Sequence, residues 1–147
     1  PASEYIAQVI KDEHQEDRVH LIGMVKREDL PKYYTMVQVC VSASRFETQG
    51  LSLMEAMACR VPIVVPNVRA FKEIIIDNEN GFLFDGGIED MAKRVTEALE
   101  ISKDDRIRDA AMERAKSYSE DSSARKLVEL YESVIEAKKK RLAEGRS

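Results

Sequence analysis

Glu47 and Glu55 stand eight positions apart in ETQGLSLME, and from Gln49 to Val68 the only charged side chains are Glu55 and Arg60. An acid kept inside so apolar a stretch can accept hydrogen bonds from paired hydroxyls, as a carboxylate does with ribose in dinucleotide folds. Gly50 and Leu51 fall where a helix would begin. Their backbone N–H groups then sit at its positive end and suit an anion such as a phosphate. On a helical projection Leu51, Leu53, Met54, Met57 and Ala58 fill a wide apolar arc, leaving Ser52 and Glu55 a narrow polar sector. Spacing alone favours a plainer reading: Glu55 as a helix-face acid beside a surface cation, and Glu47 as a loop acid.

The elements that must position these residues are legible in the apolar pattern. Ser3 is placed to cap a first helix, with Tyr5, Ile6, Val9 and Ile10 on one face, closed by Asp17–Arg18. The run Val19–Met24 predicts a buried strand. Lys26–Val37 predicts a helix, with Glu28, Asp29 and Pro31 in its first turn and Leu30, Tyr34 and Val37 on one face. Val39–Ala43 predicts a strand, Gly50–Cys59 a helix, Pro62–Val65 a strand and Ala70–Ile76 a short helix. The turn-forming run Asp77–Gly81 stops that helix, and Phe82–Phe84 predicts a last strand. Helices alternating with nearly unbroken apolar strands predict a parallel sheet covered on both faces. The fold class is thus α/β, a Rossmann-like three-layer domain with C-terminal helices. Their apolar positions are Met91, Val95 and Leu99, then Ile107, Ala111 and Ala115, then Leu127, Val128, Tyr131, Val134 and Ile135. The boundary is placed between residues 1–101 and 102–147.

Composition narrows the function. The 147 residues, 44% hydrophobic, suffice for one core, and a net charge of −4 leaves no electrostatic footprint for nucleic acid. No apolar run is long enough for a transmembrane helix, and no leader pattern opens the chain. Cys40 and Cys59 form neither a CxxC nor a Cys/His cluster, and are read as reduced, buried thiols. His14 and His20 lack metal spacing, so no metal site is expected. A cytoplasmic setting follows, with peripheral attachment to the inner membrane surface through a parent protein left open. The basic run Lys138–Arg141 is read as a solvated helix end.

The residue identities go further than spacing. E-TQGLSLM-E resembles the E-x7-E motif of retaining family 4 (group 1) glycosyltransferases. Before it, DRVHLIGMVKREDLPKYYTMVQVCVSAS (Asp17–Ser44) is similar to the segment that precedes the motif in that family. After it, EAMACRVPIVVPNVRAFKEIIIDNENGFLFDGG (Glu55–Gly87) is similar to the segment that follows. The resemblance implies the C-terminal, donor-binding half of a GT-B fold, whose partner domain holds the acceptor. Glu47 would contact the transferred sugar, and the backbone N–H groups of Gln49, Gly50 and Leu51 would face sugar and diphosphate. Glu55 would hold the ribose, and Met24–Val25 would lie along the nucleobase. The nucleotide-sugar (UDP-, GDP- or ADP-linked) is a substrate, so no cofactor is implied, and the reaction retains configuration without a metal.

Departures from the family pattern qualify this. Thr48-Gln49 replaces a common Gly-Phe, Arg60 a common helix-ending Gly, Arg69-Ala70 a common Gly-Gly and Ala43 a common Pro. Arg69 is read as solvent-facing. In the family's sheet order two earlier strands lie between the equivalents of Val19–Met24 and Val39–Ala43. Those strands, and the Arg and Lys that grip the donor diphosphate, have no counterpart here. The alternative is therefore a non-catalytic glycosyltransferase-like module acting in assembly, forming a homo-oligomer through its incomplete sheet.

Overall fold

Successive strand residues point to opposite faces, so the run Ile63–Val65, buried throughout, demands cover on both sides. The structure, a computed structural model, describes residues 2–48 and 50–144. Its helices are α1 (Ala2–Asp12), α2 (Leu30–Met36), α3 (Leu51–Ala58), α4 (Arg69–Lys72), α5 (Ile88–Glu100), α6 (Asp105–Lys116) and α7 (Glu120–Ala143). Strands β1 (Cys40–Val41), β2 (Ile63–Pro66) and β3 (Phe82–Phe84) form a parallel sheet in the order β1-β2-β3. Cys40 pairs with Ile63, and Val64 with Phe82. On one face Ile63 and Val65 join Leu53 and Met57 of α3 and Ala111 and Ala115 of α6. On the other, Val64 joins Phe82, Phe84, Ala98 of α5 and Ile107. The expected three-layer arrangement is what these residues build.

The chain divides into two compact units, Pro1–Leu30 and Pro31–Ser147. In the first, α1 begins at Ala2, which puts Ser3 inside the helix rather than at its cap. The expected strand Val19–Met24 does not form, and Val19, Leu21, Ile22 and Met24 are exposed. A strand needs a neighbour to take its N–H and C=O groups, and no strand of the described residues pairs with this run. The helix expected over Lys26–Val37 begins instead as a 3-10 turn, Arg27–Asp29, and continues as α2. Pro31 has no N–H to carry one regular helix through that point.

Within the second unit, α4 ends sooner than the expected Ile76. Asn80, only 3% exposed, explains this: its Oδ1 accepts from Ile76 N at 2.8 Å and its Nδ2 donates to the Ile74 carbonyl at 3.2 Å. The side chain takes the backbone groups a longer helix would have used. In α3 the buried residues are Leu53, Ala56 and Met57. Leu51 and Ala58 are exposed, so the buried arc is narrower than the apolar pattern suggests. The apolar stripe of α7, including Leu127, Tyr131 and Val134, is exposed.

Helix α3 ends in a Schellman turn: Val61 N donates to Ala56 O and Arg60 N to Met57 O. Arg60 therefore adopts the left-handed conformation (φ 62°) that favours glycine. Its guanidinium ties the turn to α6 through Asp105 (2.9 Å) and Asp109 (2.6 Å). Replacement by alanine keeps the backbone strain and loses both ion pairs, whereas glycine loses the pairs but relieves the strain. Arg60→Ala is expected to be less stable than Arg60→Gly by about 1 kcal/mol in urea unfolding. Equal stabilities would mean that the turn carries no strain.

Two carboxylates pin the loops before α5 and α6. Asp90 Oδ2 accepts from the backbone N–H of Gly86 (2.9 Å) and Asp85 (2.8 Å), which hold its carboxyl below the usual range. Asp104 caps α6 and is lowered first by the Arg106 side chain, then by the Arg106 N–H. Folding favours the charged form of both. Their stabilisation is complete above the unfolded carboxylate range, about pH 4, and is lost as pH falls through the depressed folded values. The urea midpoint is thus expected to drop below about pH 4, with a shallower drop in Asp90→Asn.

Candidate functional site

The carboxyl ends of parallel strands are where open α/β sheets place ligands, and the β1–α3 loop leaves from such an end. Ser42 N extends the sheet pairing to Val64 O at 3.0 Å, and Ser44 Oγ donates to Phe46 O at 2.9 Å. Glu47 is half-buried and its Oε1 accepts from Thr48 N at 2.9 Å. Gly50 then turns the chain into α3 with φ 62°. It is buried, and a Cβ there would lie 3.3 Å from Phe71 Cε1 and 3.8 Å from Glu47 Cγ. The Gly50 carbonyl accepts from Leu53 N and Met54 N, both at 3.0 Å. Leu51 lies in the first turn, where a helix leaves N–H groups open to an anion. One turn on, Glu55 is half-buried, about 6 Å along the axis from Leu51.

Glu47, Gly50, Leu51 and Glu55 thus share one loop and helix of the second unit. Gln49 lies outside the described residues. Met24 and Val25 belong to the first unit, Met24 fully exposed and Val25 half-buried in the stretch that forms no strand.

Tyr34 is a neighbour that the sequence did not single out. Burial raises its phenol above the ordinary range, and the Glu55 carboxylate, which it meets in a hydrogen bond, adds to this. Tyr34 is read from sequence only as part of an apolar helix face, and its polar tip carries no pattern. Cys40 and Cys59 are free thiols, and burial pushes both upward. Arg69 is 95% exposed and pairs with Glu73 at 3.6 Å, which agrees with the solvent-facing reading. The carbonyl of Glu73 in turn accepts from Arg114 and from Tyr118 Oη, anchoring the end of α4 to α6. Among the described residues, no group of three His, Cys, Asp or Glu side chains could hold a metal ion. No described helix is long and apolar enough to cross a membrane.

A family model described as "Glycosyl transferases group 1" matches residues 1–141. The chain belongs to this family of glycosyltransferases. It is 32% identical over 130 residues to N-acetyl-alpha-D-glucosaminyl L-malate synthase of Bacillus anthracis, covering 88% of this chain and 33% of that protein. Among solved structures, sucrose-phosphate synthase of Thermosynechococcus elongatus matches with a TM-score of 0.79 at 26% identity. That match covers 91% of this chain and 34% of the other. S. aureus TarM, solved as a mutant in complex with UDP among other ligands, matches with a TM-score of 0.74 at 30% identity. It covers 89% of this chain and 27% of TarM. The glycosyltransferase chain described here thus spans about a third of the length of these relatives.

Proposed function

We propose that this chain is the donor-binding part of a retaining glycosyltransferase that moves a sugar from a nucleotide-sugar to an acceptor hydroxyl. The observation that carries the reading is the placement of Glu47, Gly50 and Glu55 on one loop and helix at the carboxyl end of β1, in a chain of this family. UDP in the TarM complex supports a uridine nucleotide as the first donor to try.

In this reading Glu47 accepts hydrogen bonds from the sugar's hydroxyls and sets its orientation. The backbone N–H groups of Gln49, Gly50 and Leu51 face the sugar and diphosphate. Glu55, braced by Tyr34, holds the ribose. The anomeric carbon's bond to the diphosphate oxygen breaks as the acceptor oxygen attacks from the same face. The acceptor's proton passes to the leaving diphosphate. Catalysis is then placement together with stabilisation of leaving-group charge, and it requires no metal. Acceptor binding belongs to an N-terminal domain of a longer parent, so this chain alone is expected to turn over no nucleotide-sugar.

The test is the anomeric configuration of the product formed by a polypeptide that joins this chain to an acceptor domain. Proton NMR of the fresh product should show the donor's configuration. An inverted product contradicts the retaining assignment. A second reading, a non-catalytic module used in assembly, is favoured by the two-residue edge strand β1 and the unpaired run Val19–Met24. It requires a defined oligomer in sedimentation and no nucleotide binding.

A further inference from the structure

Helix α7 runs for 24 residues, about 36 Å, and its apolar side chains are exposed. Leu127, Tyr131, Val134, Ile135 and Leu142 follow the spacing of one helical face, and each is between 48% and 67% exposed. Helical geometry places Lys138 within this stripe, with Lys139 and Arg141 at its two edges and Lys140 on the far side. From Leu127 onward the acids Glu129, Glu132 and Glu136 fall on the side away from the stripe. Glu120 is in line with the stripe but lies about two turns before Leu127. Lys138, Lys139 and Arg141 form no ion pair among the described residues. The basic run, read from sequence as a solvated helix end, thus shares a face with exposed apolar side chains, and the acids are kept behind it.

We propose that α7 lies on an anionic lipid surface, with its apolar stripe set into the boundary between headgroups and acyl chains. A helix with one apolar face flanked by cations binds in this way, and α7 is not apolar enough to cross the membrane instead. Long basic side chains lay their stems along apolar surface and keep their charged ends among lipid phosphates, which suits Lys138, Lys139 and Arg141. Tyr131 brings a ring with a polar tip, which suits the same boundary. A second copy seated on the stripe would bury the Lys138 ammonium in an apolar seam, whereas a lipid surface offers it phosphate. The chain carries a net charge of −4, but the acids of α7 stand about 10 Å behind the stripe, across the helix, where salt screens them over about 8 Å. The charge nearest the lipid is therefore positive. The attachment uses neither Glu47 nor Glu55 and is independent of donor binding.

The test is co-sedimentation of the whole chain with vesicles, either of phosphatidylcholine alone or of phosphatidylcholine and phosphatidylglycerol in equal parts. The chain is expected to bind the anionic vesicles at least tenfold more tightly than the neutral ones, and to lose that preference at high salt. A variant with Lys138→Gln, Lys139→Gln and Arg141→Gln should bind the anionic vesicles at least tenfold more weakly. A variant with Tyr131→Ser and Val134→Ser should lose binding to both kinds of vesicle. All of these positions are exposed, so circular dichroism should show the helix content of both variants unchanged. The proposal is overturned by no binding to anionic vesicles, by equal binding to both kinds, or by undiminished binding in either variant. It is equally overturned if sedimentation shows a dimer that ignores vesicles and that Tyr131→Ser with Val134→Ser dissociates, since a second copy would then cover the stripe.

Discussion

Phe71→Ala is expected to cost about 3–5 kcal/mol of stability in urea unfolding, the largest loss of any single side-chain truncation near the site. Phe71 is 1% exposed and shares its cluster with Leu53, Met57, Ile74 and Ile75. Its ring also lies against Gly50, so it joins α4 to the start of α3. Truncation leaves a cavity that rigid neighbours on both sides are slow to fill. Domains of this size are stable by only about 5–15 kcal/mol, so the variant should be partly unfolded at modest urea concentrations. Phe71→Leu, which keeps most of the volume, should cost far less. A loss under about 1.5 kcal/mol for Phe71→Ala would mean that Phe71 is not the link between α4 and the Glu47 loop.

Gly50→Ala is the second large effect, and it acts on the site directly. A Cβ at φ 62° carries the left-handed penalty of about 1–2 kcal/mol. It must also displace the Phe71 ring from 3.3 Å, an overpacking term of about 1–3 kcal/mol. The expected sum is about 2–5 kcal/mol by denaturant titration. Because the same Cβ approaches Glu47 Cγ, the start of α3 should shift along with the carboxylate. Gly23 separates the two terms: its φ is 74°, with nothing within 4 Å of an added Cβ. Gly23→Ala should therefore show the backbone term alone. Equal costs at the two glycines would remove the packing argument.

Strands β2 and β3 were legible because they are short, apolar and largely buried, so they lie within a residue of the expected positions, whereas the partly exposed edge strand β1 keeps only Cys40–Val41 of the expected Val39–Ala43. Val19–Met24 has the same apolar character but no partner, and pattern alone does not report whether a neighbour is present. The end of α4 was overrun for a related reason. Ile74 and Ile75 fit a helical face, while the side chain that diverts their backbone, Asn80, lies beyond the turn. Arg60 looked unfavourable for a helix end, yet it makes that end, because Asp105 and Asp109 arrive from a helix far along the chain. The placement of Glu47, Gly50 and Glu55 on one loop and helix was readable from local order. Phe71 and Tyr34, which pack against Gly50 and brace Glu55, come from elements distant in sequence.

The most direct test of the donor site is an amide NMR titration of the chain with UDP, GDP and ADP, repeated on Glu55→Gln. The account predicts saturable shifts centred on Gly50–Glu55 for one of the three nucleotides, at least tenfold weaker in the variant. A well-dispersed spectrum that no nucleotide moves, or equal affinity in Glu55→Gln, would contradict it.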